Sequence, residues 1–132
     1  MFVLDTNTLI YFFRGQGRVA EYMLATPPRE VAVPTVVVYE LETGIAKSRQ
    51  RSRRREQLGQ LLDSVTVLPF DQDAARSAAW LRASLEGQGR PIGPMDTLIA
   101  GTALACGGTL VTRNHKEFSR VKGLRVVDWH GA

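Results

Sequence analysis

The sequence predicts an α/β fold: one domain with a mainly parallel central sheet of four to five short strands flanked by helices. Three observations point there. Short apolar runs such as Phe2-Val3-Leu4 and Thr109-Leu110-Val111 alternate along the chain with stretches of helical periodicity. Residues that break or cap helices, such as Thr26-Pro27-Pro28 and Gly107-Gly108, punctuate the boundaries. Acidic or amide side chains recur where a strand gives way to a helix or where a helix opens. In an open parallel sheet such positions converge on one crevice at the carboxyl edge.

The elements follow in order. Phe2 to Leu4 reads as a buried strand ended by turn-type residues. Thr8 to Phe13 reads as a short helix broken by Arg14-Gly15-Gln16-Gly17. Val19 to Ala25 is helical and is stopped by the two prolines. Val31 to Val33 is a second strand. Thr35 is expected to cap a helix running through Glu40, Leu41 and Ile45, although Val36-Val37-Val38 blurs its start. Lys47, Arg49, Arg51, Arg53, Arg54 and Arg55 then form a basic run, and Leu58, Leu61 and Leu62 restore an apolar helical face. Val65 to Phe70 is a third strand. Asp71 or Asp73 caps a long helix reaching Leu85. Gly87 to Pro94 is a loop, and Pro94 suits the first position of a helix over Met95 to Ala105. Thr109 to Val111 and Leu124 to Val127 complete the strands. No internal repeat, low-complexity stretch or second domain is evident, so one domain is expected over 1–132.

Bulk properties narrow the function. Hydrophobic residues make up 44% of the 132-residue chain, enough for a proper core. Lys and Arg number 17 against 13 Asp and Glu. A basic surface around an acidic pocket suits a polyanion held against a cation, although a charge of +4 is also ordinary for solubility. A single cysteine, Cys106, excludes an internal disulfide and a cysteine-based zinc site, and its apolar context reads as a small buried hydrophobe. The N-terminus has no basic leader, and the apolar stretch Met95 to Cys106 is shorter than the roughly 20 residues that span a bilayer. A reducing cytoplasm without membrane contact is the expectation.

Four places carry candidate chemistry. Asp5 follows the first strand directly and must emerge at its carboxyl edge, because burying it without a partner is costly. Taken alone, such an Asp more often caps the next helix, a role open to Asp5 or Asn7, and other carboxylates reaching the same place change that. Glu40 lies early in a mostly apolar helix. Glu42 sits about 200° further round and cannot share its face. Asp96 opens an apolar helix whose dipole favours an anion. Asn114 and Glu117 follow the strand Thr109 to Val111, where a plain turn also accounts for Asn114. His115 and Lys116 read as solvated, and His130 lies in the terminal tail without context. If the acids share one crevice they repel one another unless a cation lies between them, and hard oxygen donors suit Mg²⁺ or Mn²⁺. The basic run reads either as a solvated helix face, with residues 47, 51 and 55 aligned and 49 and 53 beside them, or as a phosphate-binding platform.

Taken together, the pieces resemble the PIN-domain family, and more narrowly the VapC toxins of bacterial toxin–antitoxin modules. They are Leu4-Asp5-Thr6-Asn7, Tyr39-Glu40-Leu41 with Gly44, the stretch from Gly89 to Gly101, Leu110-Val111-Thr112-Arg113-Asn114, Glu117-Phe118 and Val121 to Trp129. The resemblance covers essentially the whole chain and implies a Mg²⁺- or Mn²⁺-dependent endoribonuclease hydrolysing RNA with metal-activated water. It places Asp5, Glu40 and Asp96 on the acidic metal positions. Asn114 stands at a fourth position that is often acidic, with Glu117 able to compensate. Thr6 and Thr112 orient carboxylates or water, and Thr6, Asn7, Thr112, Arg51, Arg54 and Arg55 are candidate contacts to substrate. The resemblance further implies a homodimer, a cognate antitoxin and a tRNA substrate. The stretch Gly87 to Gly93 is similar to that of members associated with initiator tRNA. Two alternatives compete. A HAD-type phosphatase or phosphotransferase would use Asp5 as nucleophile but would want an acid at Asn7. A non-catalytic RNA-binding module needs only the basic run.

Overall fold

Buried strands need both faces covered, and the apolar runs here are covered by helices. In the computed structural model, which describes residues 1–131, the strands are β1 (Phe2–Leu4), β2 (Val31–Pro34), β3 (Thr66–Leu68), β4 (Thr109–Val111) and β5 (Arg125–Val127). They form one sheet ordered β3-β2-β1-β4-β5, and each neighbouring pair is parallel. Phe2 is registered with both Val31 and Thr109, which puts β1 at the centre. The helices are α1 (Thr6–Arg14), α2 (Val19–Ala25), α3 (Thr35–Ala46), α4 (Arg51–Ser64), α5 (Gln72–Gly87), α6 (Pro94–Ala105) and α7 (His115–Phe118). Ala132, the last residue of the expected domain, lies outside the described residues.

The chain builds outward from β1 through β2 to β3, then crosses back to lay β4 on β1's other edge. The reversal beside β1 opens a crevice at the carboxyl ends of β1 and β4, where open α/β sheets take their ligands. Val3, Leu4, Ala32, Val33, Leu110 and Val111 are fully buried in the sheet, with Leu9, Val37, Ile99 and Ala100 from the helices upon them. Trp129 closes the tail by packing on Phe2, ring centroids 5.2 Å apart, and by stacking on Tyr22 at 5.5 Å.

The expected elements stand, with local corrections. The first helix begins at Thr6 rather than Thr8, because the Asp5 carboxylate accepts from the Thr8 amide and starts the turn earlier. Thr35 is not a cap. It is the first residue of α3, and its hydroxyl accepts from the Phe70 amide instead. The third strand shrinks to Thr66–Leu68, since Pro69 cannot donate to the ladder and β3 is a largely exposed edge. Cys106 is exposed, not buried, because α6 ends at Ala105 and Cys106 caps it beyond the packed face. The basic run is not one helical face. Lys47 caps α3, the Ser48 hydroxyl accepts from the Gln50 amide in the break, and α4 starts only at Arg51. Arg51 and Arg55 therefore keep a common face, while Lys47 and Arg49 fall outside the helix.

Among the helices, α5 and α6 pack together most extensively. Gly101 makes this possible: a Cβ there would lie 2.5 Å from the Ala78 Cβ and 2.7 Å from its backbone. The contact fixes α6, and with it Asp96 in its first turn. Gly101→Ala is expected to force the two helices apart and to destabilise the protein by about 1–3 kcal/mol, read as a lower thermal midpoint. An unchanged midpoint would mean that this contact does not limit the packing.

Candidate active site

Each acid reaches the crevice by a different local device. Asp5 extends β1 by one residue, its amide donating to the Val111 carbonyl at 3.2 Å. The Thr8 hydroxyl donates to the same carbonyl at 3.1 Å, tying α1 to β4. Asp5 is left 5% exposed. Burial drives its carboxyl above the ordinary value, and the Glu40 charge adds to this. Hydrogen bonds from the Thr112 hydroxyl and from Thr8 oppose the rise without cancelling it. Thr112 is fully buried, and its hydroxyl also accepts from the Asn114 amide at 3.0 Å. One threonine thus holds Asp5 and shapes the turn after β4.

Glu40 is half-buried on α3, while Glu42 is exposed, as their helical separation requires. The Thr6 hydroxyl donates to Glu40 Oε1 at 2.5 Å, linking the start of α1 to α3. Asp96 follows the Gly93-Pro94 turn. Its carboxyl is pushed up to about 6, first by burial and then by the charges of Asp5, Glu117 and Glu40, in that order. The structure therefore brings Asp5, Glu40 and Glu117 within reach of Asp96, and Glu40 within reach of Asp5. Glu117 weighs on Asp96 more than Glu40 does. Asn114 is engaged otherwise: its side chain caps α7 by accepting from the Glu117 amide at 3.5 Å, though it also lines the pocket beside Asp5.

Oxygen-only donors of this kind fit a hard divalent cation. Among the described residues, no three His, Cys, Asp or Glu side chains are already drawn together at coordination distance. The acids are close enough to repel, and a cation would draw them in. The remaining candidates are divided. Thr6 and Thr112 each hold an acid, and Asn7 is exposed in the pocket with Asp5. Arg54 lines a groove that reaches Glu40, together with Arg14, Ser48 and Gln57. Arg51 lies in a shallow basic hollow whose lining, Lys47 to Arg53, contains no acid, and Arg55 is simply exposed on α4. Sequence reasoning missed Tyr11, Arg14 and Arg113 as lining residues. Arg113 was signalled only by its place between Thr112 and Asn114.

Comparison with known proteins finds relatives of the whole fold. The model of the PIN domain family matches residues 2–124. A tRNA(fMet)-specific endonuclease VapC of Shigella flexneri is 35% identical over 128 residues, covering 97% of each chain. The crystal structure of DNA-bound VapBC from Salmonella typhimurium superposes with a TM-score of 0.91 at 33% identity and 97% coverage of each chain. That of VapBC2 from Rickettsia felis, bound to a promoter DNA fragment, gives a TM-score of 0.90 at 29% identity, covering 97% of this chain and 98% of that one.

The raised Asp96 carboxyl has a consequence for stability. A carboxyl that binds its proton more tightly when folded than at its ordinary 3.8 imposes no penalty at low pH. The penalty grows as pH rises from about 4 to about 6 and is complete above that. In EDTA near neutral pH, Asp96→Asn is therefore expected to be more stable than the unsubstituted protein by about 1–2 kcal/mol, allowing for solvent screening. The gap should close near pH 4. Thermal unfolding against pH measures it, and a variant that is less stable at neutral pH would contradict the repulsion.

Proposed function

The chain belongs to the PIN-domain family, and we propose that it is the ribonuclease toxin of a toxin–antitoxin pair, an endonuclease cutting tRNA with a divalent cation, Mg²⁺ or Mn²⁺. The observation that carries this reading is the convergence of Asp5, Glu40, Asp96 and Glu117 at the carboxyl edge of the sheet of a net-basic protein. Relatives named as tRNA(fMet)-specific endonucleases and as VapBC complexes support RNA as substrate and a cognate antitoxin as partner. Initiator tRNA is the specific substrate we propose, and a homodimer the working unit. Among the described residues no helix is long and apolar enough to cross a membrane.

When bound, the cation supplies Lewis-acid polarisation of the scissile phosphate and makes nearby water more acidic. Asp5, Glu40 and Asp96 would hold it. The Thr112 and Thr6 hydroxyls keep Asp5 and Glu40 oriented toward the crevice. Glu117, beside Asp96, is the carboxylate we assign to accepting the proton of the attacking water. Arg54 and Arg14 would carry flanking phosphates along the groove that reaches Glu40. A phosphatase of the HAD type is disfavoured because exposed Asn7 replaces the second acid its chemistry needs.

The test is incubation of the purified protein with total tRNA, with and without EDTA, followed by mapping of the cut ends. Cleavage is expected only without the chelator. Asp96→Asn and Glu40→Gln should abolish it while leaving the fold intact. Cleavage that survives Asp96→Asn would refute the role given to that residue.

A further inference from the structure

We propose that Arg113 is a phosphate-binding residue of the RNA site and that His130, from the terminal tail, is the residue that positions it. The inference rests on the ribonuclease reading above. Arg113 lines the same pocket as Asp5, Asn7 and Asn114. Its Nη1 lies 3.0 Å from His130 Nε2. A guanidinium only donates, so Nε2 must be the acceptor and the imidazole proton sits on Nδ1. Nδ1 in turn lies 3.0 Å from the Gly131 carbonyl, which accepts that proton. One neutral tautomer satisfies both contacts.

The identity of this partner matters. A carboxylate would neutralise Arg113, and a neutral imidazole does not. Among the described residues Arg113 makes no ion pair with an acid, although Asp5 lines the same pocket. Its charge, with the Nε and Nη2 donors, is left for an anion. A planar fork of that kind matches a phosphodiester. Four carboxylates repel an incoming RNA backbone, and a cation on the β4 side offsets this where the chain must come closest.

The imidazole is itself held from several directions. The His130 carbonyl accepts from the Arg18 amide at 2.8 Å, and its own amide donates to Asp128 Oδ1 at 2.8 Å. The Tyr11 ring stands edge-on to it, centroids 4.8 Å apart. Gly17, at φ 64°, leaves it room: a Cβ there would lie 2.6 Å from His130 Cγ. A side chain so fixed, far along the sequence from the acids, has a positioning task.

The experiment compares the unsubstituted protein with Arg113→Gln, Arg113→Lys, His130→Leu and His130→Gln. Thermal melts establish folding. Affinity for a fluorescent single-stranded RNA is measured in EDTA across a salt series, and steady-state cleavage of tRNA is measured with Mg²⁺. Arg113→Gln should weaken RNA binding about tenfold and flatten the salt slope by about 0.7, the loss of one phosphate contact. KM should rise by a similar factor, with kcat changed little. Arg113→Lys should keep the slope and lose part of the affinity. His130→Leu should approach the Arg113→Gln result, and His130→Gln, whose amide oxygen also accepts from a guanidinium, should restore most of the binding. Unchanged affinity and slope in Arg113→Gln would overturn the proposal. Equal impairment of His130→Gln and His130→Leu would overturn the positioning role. If the unsubstituted protein neither binds nor cuts RNA, the ribonuclease reading itself falls and takes this inference with it.

Discussion

Mutual repulsion of carboxylates at one edge of a parallel sheet is the constraint around which this molecule is arranged. Asp5 is desolvated before any ligand arrives, and burial outweighs the hydrogen bonds that favour its charged form. Asp96 feels Asp5, Glu117 and Glu40 together. Such an arrangement is destabilising in isolation. It persists because threonine hydroxyls, backbone ladders and tight helix packing fix the acids. Thr8 ties α1 to β4, Thr112 holds Asp5, and Thr6 holds Glu40. The result is an anionic hollow whose repulsion a divalent cation would relieve.

Topology explains why residues so distant in sequence meet. With β1 central and β4 returning to its free edge, the segments after both strands open on the same crevice. Asp5 leaves β1 there, and Thr112 to Asn114 leave β4. The helix after β2 brings Glu40 down its half-buried side, and the close α5–α6 contact at Gly101 sets the start of α6 and hence Asp96. The tail then returns, through Trp129 and His130, to the rim beside Arg113.

Much of this was legible in the sequence, for identifiable reasons. Fully buried strands declare themselves as short apolar runs, so β1, β2 and β4 are read nearly to the residue. The closeness of Asp5, Glu40 and Asp96 is legible because a charge next to such a run has few places to go. Glu42 is set aside by helical angle alone. Other features depend on partners remote in sequence. Thr35 serves Phe70 rather than its own helix, which no local cap rule reveals. Cys106 is apolar in context but lies one residue past the packed face. The basic run reads as continuous because nothing in residues 47–55 marks a break, yet α3 ends where its apolar stripe stops. Glu117, half-buried on α7, bears on Asp96 across the fold, and the bond between His130 and Arg113 spans 17 residues.

Calorimetric titration of Mn²⁺ near neutral pH tests the central claim most directly, without reference to any RNA. The unsubstituted protein should show saturable binding. Asp5→Asn, Glu40→Gln and Asp96→Asn should each weaken it severely, and Glu42→Gln, on the far side of the same helix, should leave it intact. Absence of binding in the unsubstituted protein, or affinity retained in all three acid variants, would contradict a cation held jointly by these side chains.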